Sequence, residues 1–263
     1  MTYPTQINVE RVSRSAPATP SNRHLSAMVI KHDRLAAEAI RSAVAQSFMF
    51  SDVRCVHSAS NALRSLQADR AYLVVAGLSF PDIDGIDLVH IITKQRLALR
   101  LMIVSGRRDE VVRLRLRPGC VDGFFDSGVE DPESLVLAAR KVCEGGAYFS
   151  ATALTPSKAG AKQPSLFQTL TTHELKIFAL IGDGCDDKKA AARLGLSAHT
   201  LHSHRRRIMK KIGVQSRADL MRVAIERGVI RIAGGRVFRP GYDGGEWLNQ
   251  PEDQALNEQM AVS

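Results

Sequence analysis

Within positions 187–212 the chain gathers Lys188, Lys189, Arg193, His199, His202, His204, Arg205, Arg206, Arg207, Lys210 and Lys211. Two chemistries are open to such a set: guanidinium and ammonium groups neutralise phosphates, and imidazoles bind transition metals. The histidines make a poor metal site, because His199 and His202 form one i,i+3 pair with no carboxylate or cysteine beside it. The four cysteines, Cys55, Cys120, Cys143 and Cys185, stand far apart with no C-x-x-C pair, against a zinc module or a disulfide framework. Glu174 follows Thr171 at capping-box spacing and needs no catalytic role. There is no Ser/His/Asp or Cys/His set, no Gly-rich phosphate loop and no metal quartet. The sequence therefore predicts no enzyme, no cofactor and no metal, and leaves polyanion binding.

Charge sharpens this reading. The 263 residues carry 36 Lys and Arg against 27 Asp and Glu, a formal charge of +9. The surplus is local: residues 166–232 hold 13 basic and six acidic groups, residues 25–150 are nearly balanced, and residues 233–263 hold two basic and five acidic groups. A basic segment is the footprint of phosphate-backbone binding. No apolar run reaches the ~20 residues needed to span a bilayer, and the start lacks the apolar core of a secretory signal. A soluble, cytoplasmic protein, nucleoid-associated when bound and making no membrane contact, is expected.

The elements that must position these groups fall into two blocks. Residues 1–24, rich in Ser, Thr, Pro and Asn, read as a flexible arm. Strands are predicted at 26–31, 52–57, 72–77, 99–105 and 121–125, with helices at 34–46, 60–67, 86–94, 109–116 and 132–144. Such alternation predicts an α/β domain over 25–148, a five-stranded doubly wound parallel sheet. Residues 149–165, small and bearing Pro and Gly, read as a linker. An all-α domain of four helices follows over 166–232. Its first helix is capped by Thr171 and ends at Gly184, and its second is 187–194. Gly195 turns the chain, Ser197 caps a third helix, Ala198–Ile212, and the fourth runs from 216 or 217 to Arg227. Residues 233–263 read as an acidic tail containing the only tryptophan, Trp247.

The third helix has one apolar stripe, Leu201, Ile208 and Ile212, with His202, Ser203, Arg205, Arg206 and Lys210 opposite. A helix of this kind fits a DNA major groove. The run from Leu170-Thr171-x-x-Glu174 through Leu194-Gly195-Leu196-Ser197 and Thr200-Leu201-x-x-His204 to Lys211-x-Gly213-Val214-x-Ser216-Arg217 resembles the LuxR/NarL/FixJ-type DNA-binding domain. The resemblance implies that His202, Ser203 and Arg206 fall on base-reading positions, and that Lys188, Thr200, Arg207 and Lys211 fall at or beside backbone-contacting ones. It also implies that the fourth helix often pairs two subunits. His202 departs from a common Lys and Ala190 from a larger apolar residue, so the preferred DNA sequence does not transfer.

The first domain resembles a response-regulator receiver, through its order of elements and Phe80-Pro81-Asp82-Ile83-Asp84-Gly85 before the third helix. Working receivers use an acidic pair after the first strand to hold Mg²⁺, an acceptor Asp after the third, a Ser or Thr after the fourth and a Lys after the fifth. Here Lys31-His32 stands for the acidic pair and Gly77 for the acceptor. Ser105 keeps the hydroxyl, and Ser127, or Asp126 with a one-residue gap, replaces the Lys. The resemblance thus implies a degenerate pocket that cannot be phosphorylated by Mg²⁺ chemistry. The function expected is a sequence-specific transcriptional regulator of double-stranded DNA, acting as a homodimer without Asp phosphorylation. The rival is a protein-interaction adaptor for RNA polymerase or another regulator, its acidic tail masking the basic helix.

Overall fold

A computed structural model describes residues 25–48, 50–154 and 165–241. The predicted arm, most of the predicted linker and most of the acidic tail, Trp247 included, lie outside the described residues.

The first domain runs β1 (Ser26–Ile30), α1 (Arg34–Ser47), β2 (Asp52–Val56), α2 (Ala59–Ala68), β3 (Ala71–Ala76), α3 (Gly85–Lys94), β4 (Ala98–Val104), α4 (Glu110–Arg115), β5 (Gly123–Phe125), α5 (Ser134–Cys143) and β6 (Tyr148–Phe149). The strands form one parallel sheet in the order β2-β1-β3-β4-β5-β6. Six strands replace the five expected. The sixth is two residues long, too short for alternation to reveal it. Helices start where short polar side chains take up the orphan amides of the first turn: Asp33 accepts from Ala36 N–H, Ser58 from Asn61, Asp84 from Ile86 and Asp109 from Val112. The sheet is apolar on both faces, so each face needs a cover. Ile40, Val44, Leu135 and Val142 of α1 and α5 close one side over Val29, Val75 and Val104. Leu66, Ile86, Val89 and Ile92 of α2 and α3 close the other over Met28, Ile30, Val74 and Ile103.

The chain enters β1, moves outward to β2 and returns across β1 to β3, so the carboxyl ends of β1 and β3 flank the topological switch point. Open α/β sheets bind their ligands there.

A short helix, α6 (Ala151–Leu154), follows the sheet. The second domain contains α7 (Leu166–Thr169), α8 (Thr172–Ile181), α9 (Asp187–Leu194), α10 (Ala198–Ile212) and α11 (Arg217–Glu226). The capping box is formed in full between Thr171 and Glu174. The helix it opens stops at Gly182 rather than Gly184, and Gly184 takes a φ of 80° in the turn beyond. Gly195 closes α9 at a φ of 66° and Gly213 closes α10 at 73°, left-handed conformations that cost a Cβ-bearing residue.

The predicted domain edge at 232 cuts through an element. β7 (Arg231–Ala233) and β8 (Arg236–Phe238) pair antiparallel across Gly234 and Gly235, whose φ angles are 55° and 70°. Two positive φ angles in a two-residue loop make the turn whose twist matches a hairpin. The start of the predicted tail is therefore folded.

Candidate nucleic-acid interface and sheet-end pocket

Helix α10 exists because Ser197 caps it, its hydroxyl oxygen accepting Thr200 N–H at 3.0 Å, and because Leu201 and Ile208 bury completely against the other helices. Fixing that stripe fixes the opposite side. His202, Ser203, Arg206, Arg207 and Lys210 are exposed along it, Lys188 is exposed on α9, and Thr200 is half-buried with its hydroxyl 2.8 Å from that of Ser197. The expected base-reading trio thus lies together on the open face of one helix.

Two cations predicted for the same surface are turned elsewhere. Arg205 flanks the buried stripe, four residues after Leu201 and three before Ile208, and its guanidinium binds the Asp187 carboxylate. Arg217 of α11 reaches the same carboxylate at 2.5 Å, and His202 Nδ1 lies 2.9 Å from Arg205. Asp187 thereby ties α9, α10 and α11, and it steadies the imidazole beside Ser203. Lys211 donates from Nζ to Glu174 at 2.7 Å. Burial pushes the Glu174 carboxyl up, but the Lys211 and Thr171 hydrogen bonds outweigh that and hold it below the usual range. His204 is half-buried, its ring edge-on to His173 at 5.3 Å. No group of His, Cys, Asp and Glu able to hold a metal occurs among the described residues.

At the carboxyl end of the sheet, Gly77 N–H donates to Ile30 O at 2.8 Å, bringing the residue after β3 beside the residue after β1. Lys31 then lies across the switch point, and its Nζ donates to Val104 O at 3.2 Å. A Cβ at position 77 would sit 2.8 Å from Lys31 Cδ, so the lysine stem fills the space a side chain there would use. Burial pulls the Lys31 ammonium below its ordinary range, with the Asp33 charge working the other way. Ser105 is buried, its hydroxyl oxygen accepting Arg107 N–H at 3.1 Å. His32 is exposed, 3.2 Å from His57 O.

Ser127 is exposed. The position following β5 is Asp126, which is buried, accepts from Gly128 N–H at 3.0 Å and Thr152 Oγ1 at 2.5 Å, and pairs with Arg108. Ser105 N–H donates to Phe125 O, one step on from the Val104–Phe125 pair, which sets Ser105 beside Asp126. A divalent cation does not fit this end of the sheet. An ammonium occupies the place for its ligands, and the nearby Asp33 is exposed and committed to capping α1.

Sequence reasoning missed the role of Asp84. It is 1% exposed, caps α3 through Ile86 N–H and accepts both Arg107 of the first domain and Arg231 of the hairpin. The Arg-x-x-Gly-Gly-Arg pattern at 231–236, with β-branched or aromatic neighbours, was the available hairpin signal.

With this geometry in hand, comparison with known proteins gives three findings. Residues 168–224 match the profile of bacterial regulatory proteins of the luxR family, and this segment is a LuxR-type helix-turn-helix domain. The transcriptional activator protein ExaE of Pseudomonas putida is 29% identical over 189 residues, which is 69% of this chain and 86% of ExaE. The transcriptional regulatory protein UhpA of Escherichia coli K12 is 28% identical over 165 residues, which is 63% of this chain and 80% of UhpA. The chain is thus homologous to LuxR-type transcriptional regulators. A solved structure of RcsB from Salmonella enterica serovar Typhimurium, bound to promoter P1flhDC in the presence of phosphomimetic BeF3⁻, superimposes with a TM-score of 0.54. It covers 78% of this chain and 100% of RcsB at 17% identity, a likeness of fold. No helix among the described residues is long and apolar enough to cross a membrane.

Proposed function

We propose that the chain is a sequence-specific DNA-binding transcriptional regulator, acting as a homodimer, whose receiver-like domain works without Asp phosphorylation. His202, Ser203 and Arg206 read bases in the major groove. Lys188, Thr200 and Arg207 hold the phosphate backbone. Lys211, engaged by Glu174, gives up that pair to reach a phosphate, which makes its exposed neighbour Lys210 the better-placed cation. Arg is suited to the reading task because its planar fork bonds guanine O6 and N7 together.

The observation that carries the reading is the exposed reader face of α10 in a chain whose sheet-end pocket is plugged by Lys31. A phosphoryl acceptor needs a carboxylate there and a cation site beside it, and Gly77 and Lys31 supply neither. The test is binding to a selected DNA site with and without acetyl phosphate and Mg²⁺. Affinity unchanged within twofold is expected. A tenfold rise would restore phosphorylation to the mechanism, and no preference for any sequence over bulk DNA would sink the regulator reading.

A further inference from the structure

We infer that the hairpin β7–β8 is a clamp that fixes the reader helix at one orientation to the sheet domain, so that pairing of two chains dictates the spacing of the DNA half-sites. The inference rests on the proposed reading as a dimeric DNA-binding protein.

Two buried acids of the sheet domain receive the clamp. Asp84 accepts the Arg231 guanidinium, which also donates to Phe80 O at 2.7 Å and lies under the Phe238 ring, 4.4 Å from its centroid. Glu110, at the start of α4, accepts from Arg227 at 3.0 Å, from Leu166 N–H at 2.8 Å and from the Ser165 hydroxyl. Around these pins the backbones meet: Val111 N–H donates to Arg227 O at 3.3 Å, and Gly241 N–H donates to the Asp87 carboxylate at 2.9 Å. At Gly228 there is no room for a Cβ, which would fall 2.0 Å from Asp109 Oδ1. The contact is also apolar, because one buried cluster takes in Val111, Val112 and Leu116 from the sheet domain and Leu166, Val229 and Ile230 from the helical domain.

Three features separate a clamp from a cover. His202, Ser203 and Arg206 stay exposed while it is closed. The pins come from α7, the end of α11 and the hairpin rather than from α10. Asp84 and Glu110 are nearly inaccessible, and a carboxylate buried at this depth is destabilised unless its cations stay in place, which favours one arrangement over a loose pair. Arg107 adds a link: it shares Asp84 with Arg231, and its own N–H is held by Ser105 at the sheet-end pocket.

The test uses the full chain and two variants, Arg231→Ala and Asp84→Asn, the second keeping an α3 cap while removing the charge. Small-angle scattering reads the arrangement, and gel shifts read DNA, using one selected half-site and pairs of half-sites at the preferred spacing or offset by five base pairs. Both variants are expected to enlarge the maximum dimension, to keep single-half-site affinity within twofold, and to lower discrimination between spacings by threefold or more. Unchanged scattering and spacing preference would overturn the clamp. A tenfold gain on the single half-site would also overturn it, since the contact would then be a cover. Failure of the wild-type chain to prefer any half-site would count against the DNA reading instead, with scattering still deciding whether Arg231 and Asp84 hold the domains together.

Discussion

Adjacent arginines on α10 have different surroundings, and the difference lies in their angle to the buried stripe. Arg206 points to solvent, whereas Arg205 is packed against α9 with its charge on Asp187. Arg206→Ala should lower affinity for the preferred site by about 10- to 100-fold, the range of one good bidentate base contact, and leave the melting temperature unmoved. Arg205→Ala should lower the melting temperature, because the mostly buried Asp187 carboxylate loses its guanidinium tie to α10 and keeps only the more exposed Arg217 as an arginine partner. Thermal melts beside gel shifts separate the two, and equal effects on both readouts would refute the division. The stripe and its facing cations were legible in the sequence, since they follow from period alone. Which cation turns inward was not, because it depends on Asp187, whose partner is 18 residues away. The same limit applied at the pocket, where Lys31 and Gly77 were legible but Asp126 and Ser127 differ by a single step of register.

At the scale of elements, the caps Thr171 and Ser197 and the glycines Gly195 and Gly213 stood in the sequence, and the caps of the sheet domain and the short pieces did not. β6 has two residues, and the hairpin was cut by an expected edge at 232 although Gly234-Gly235 announced it. Gly235 sits at a positive φ with open space around it, so Gly235→Ala tests conformation alone. It should cost about 1 kcal/mol of stability, measured by urea titration, and no loss at all would mean that the turn has another form. A loop-to-helix tie makes a second case. Asp82, between β3 and α3, accepts Ser60 N–H and the Ser58 and Ser60 hydroxyls at 2.8 Å, so it joins this loop to the start of α2. Burial pushes its carboxyl up, but those hydrogen bonds outweigh it and bring it down to about 2 from 3.8. A depressed carboxyl stabilises the fold above its unfolded value, and the contribution fades as pH falls through the folded one. Stability should therefore drop between about pH 4 and pH 2, and Asp82→Asn should flatten that part of the curve. Chemical denaturation at stepped pH checks this, and an unchanged slope would remove Asp82 from the acid limb.

For the whole molecule, the +9 resolves into a basic helical domain, a nearly neutral sheet domain and an acidic stretch after the hairpin. That division decides between the regulator and the adaptor with a masked helix. Masking cannot be tested by removing everything after 232, because positions 233–241 carry β8 and the Gly241–Asp87 bond, and their loss would disturb the clamp as well. Removing 242–263 takes away all five acidic groups of the stretch and no described element. On the regulator reading, the shortened chain should bind its selected site within twofold of the full chain at 150 mM salt, and with the same steep dependence on salt. Arg207→Ala in either background should reduce that slope by about one, the release of one phosphate's counterion. Affinity rising fivefold or more on truncation, most strongly at low salt, would instead make the acidic stretch a competitor of DNA for α10 and favour the masked adaptor.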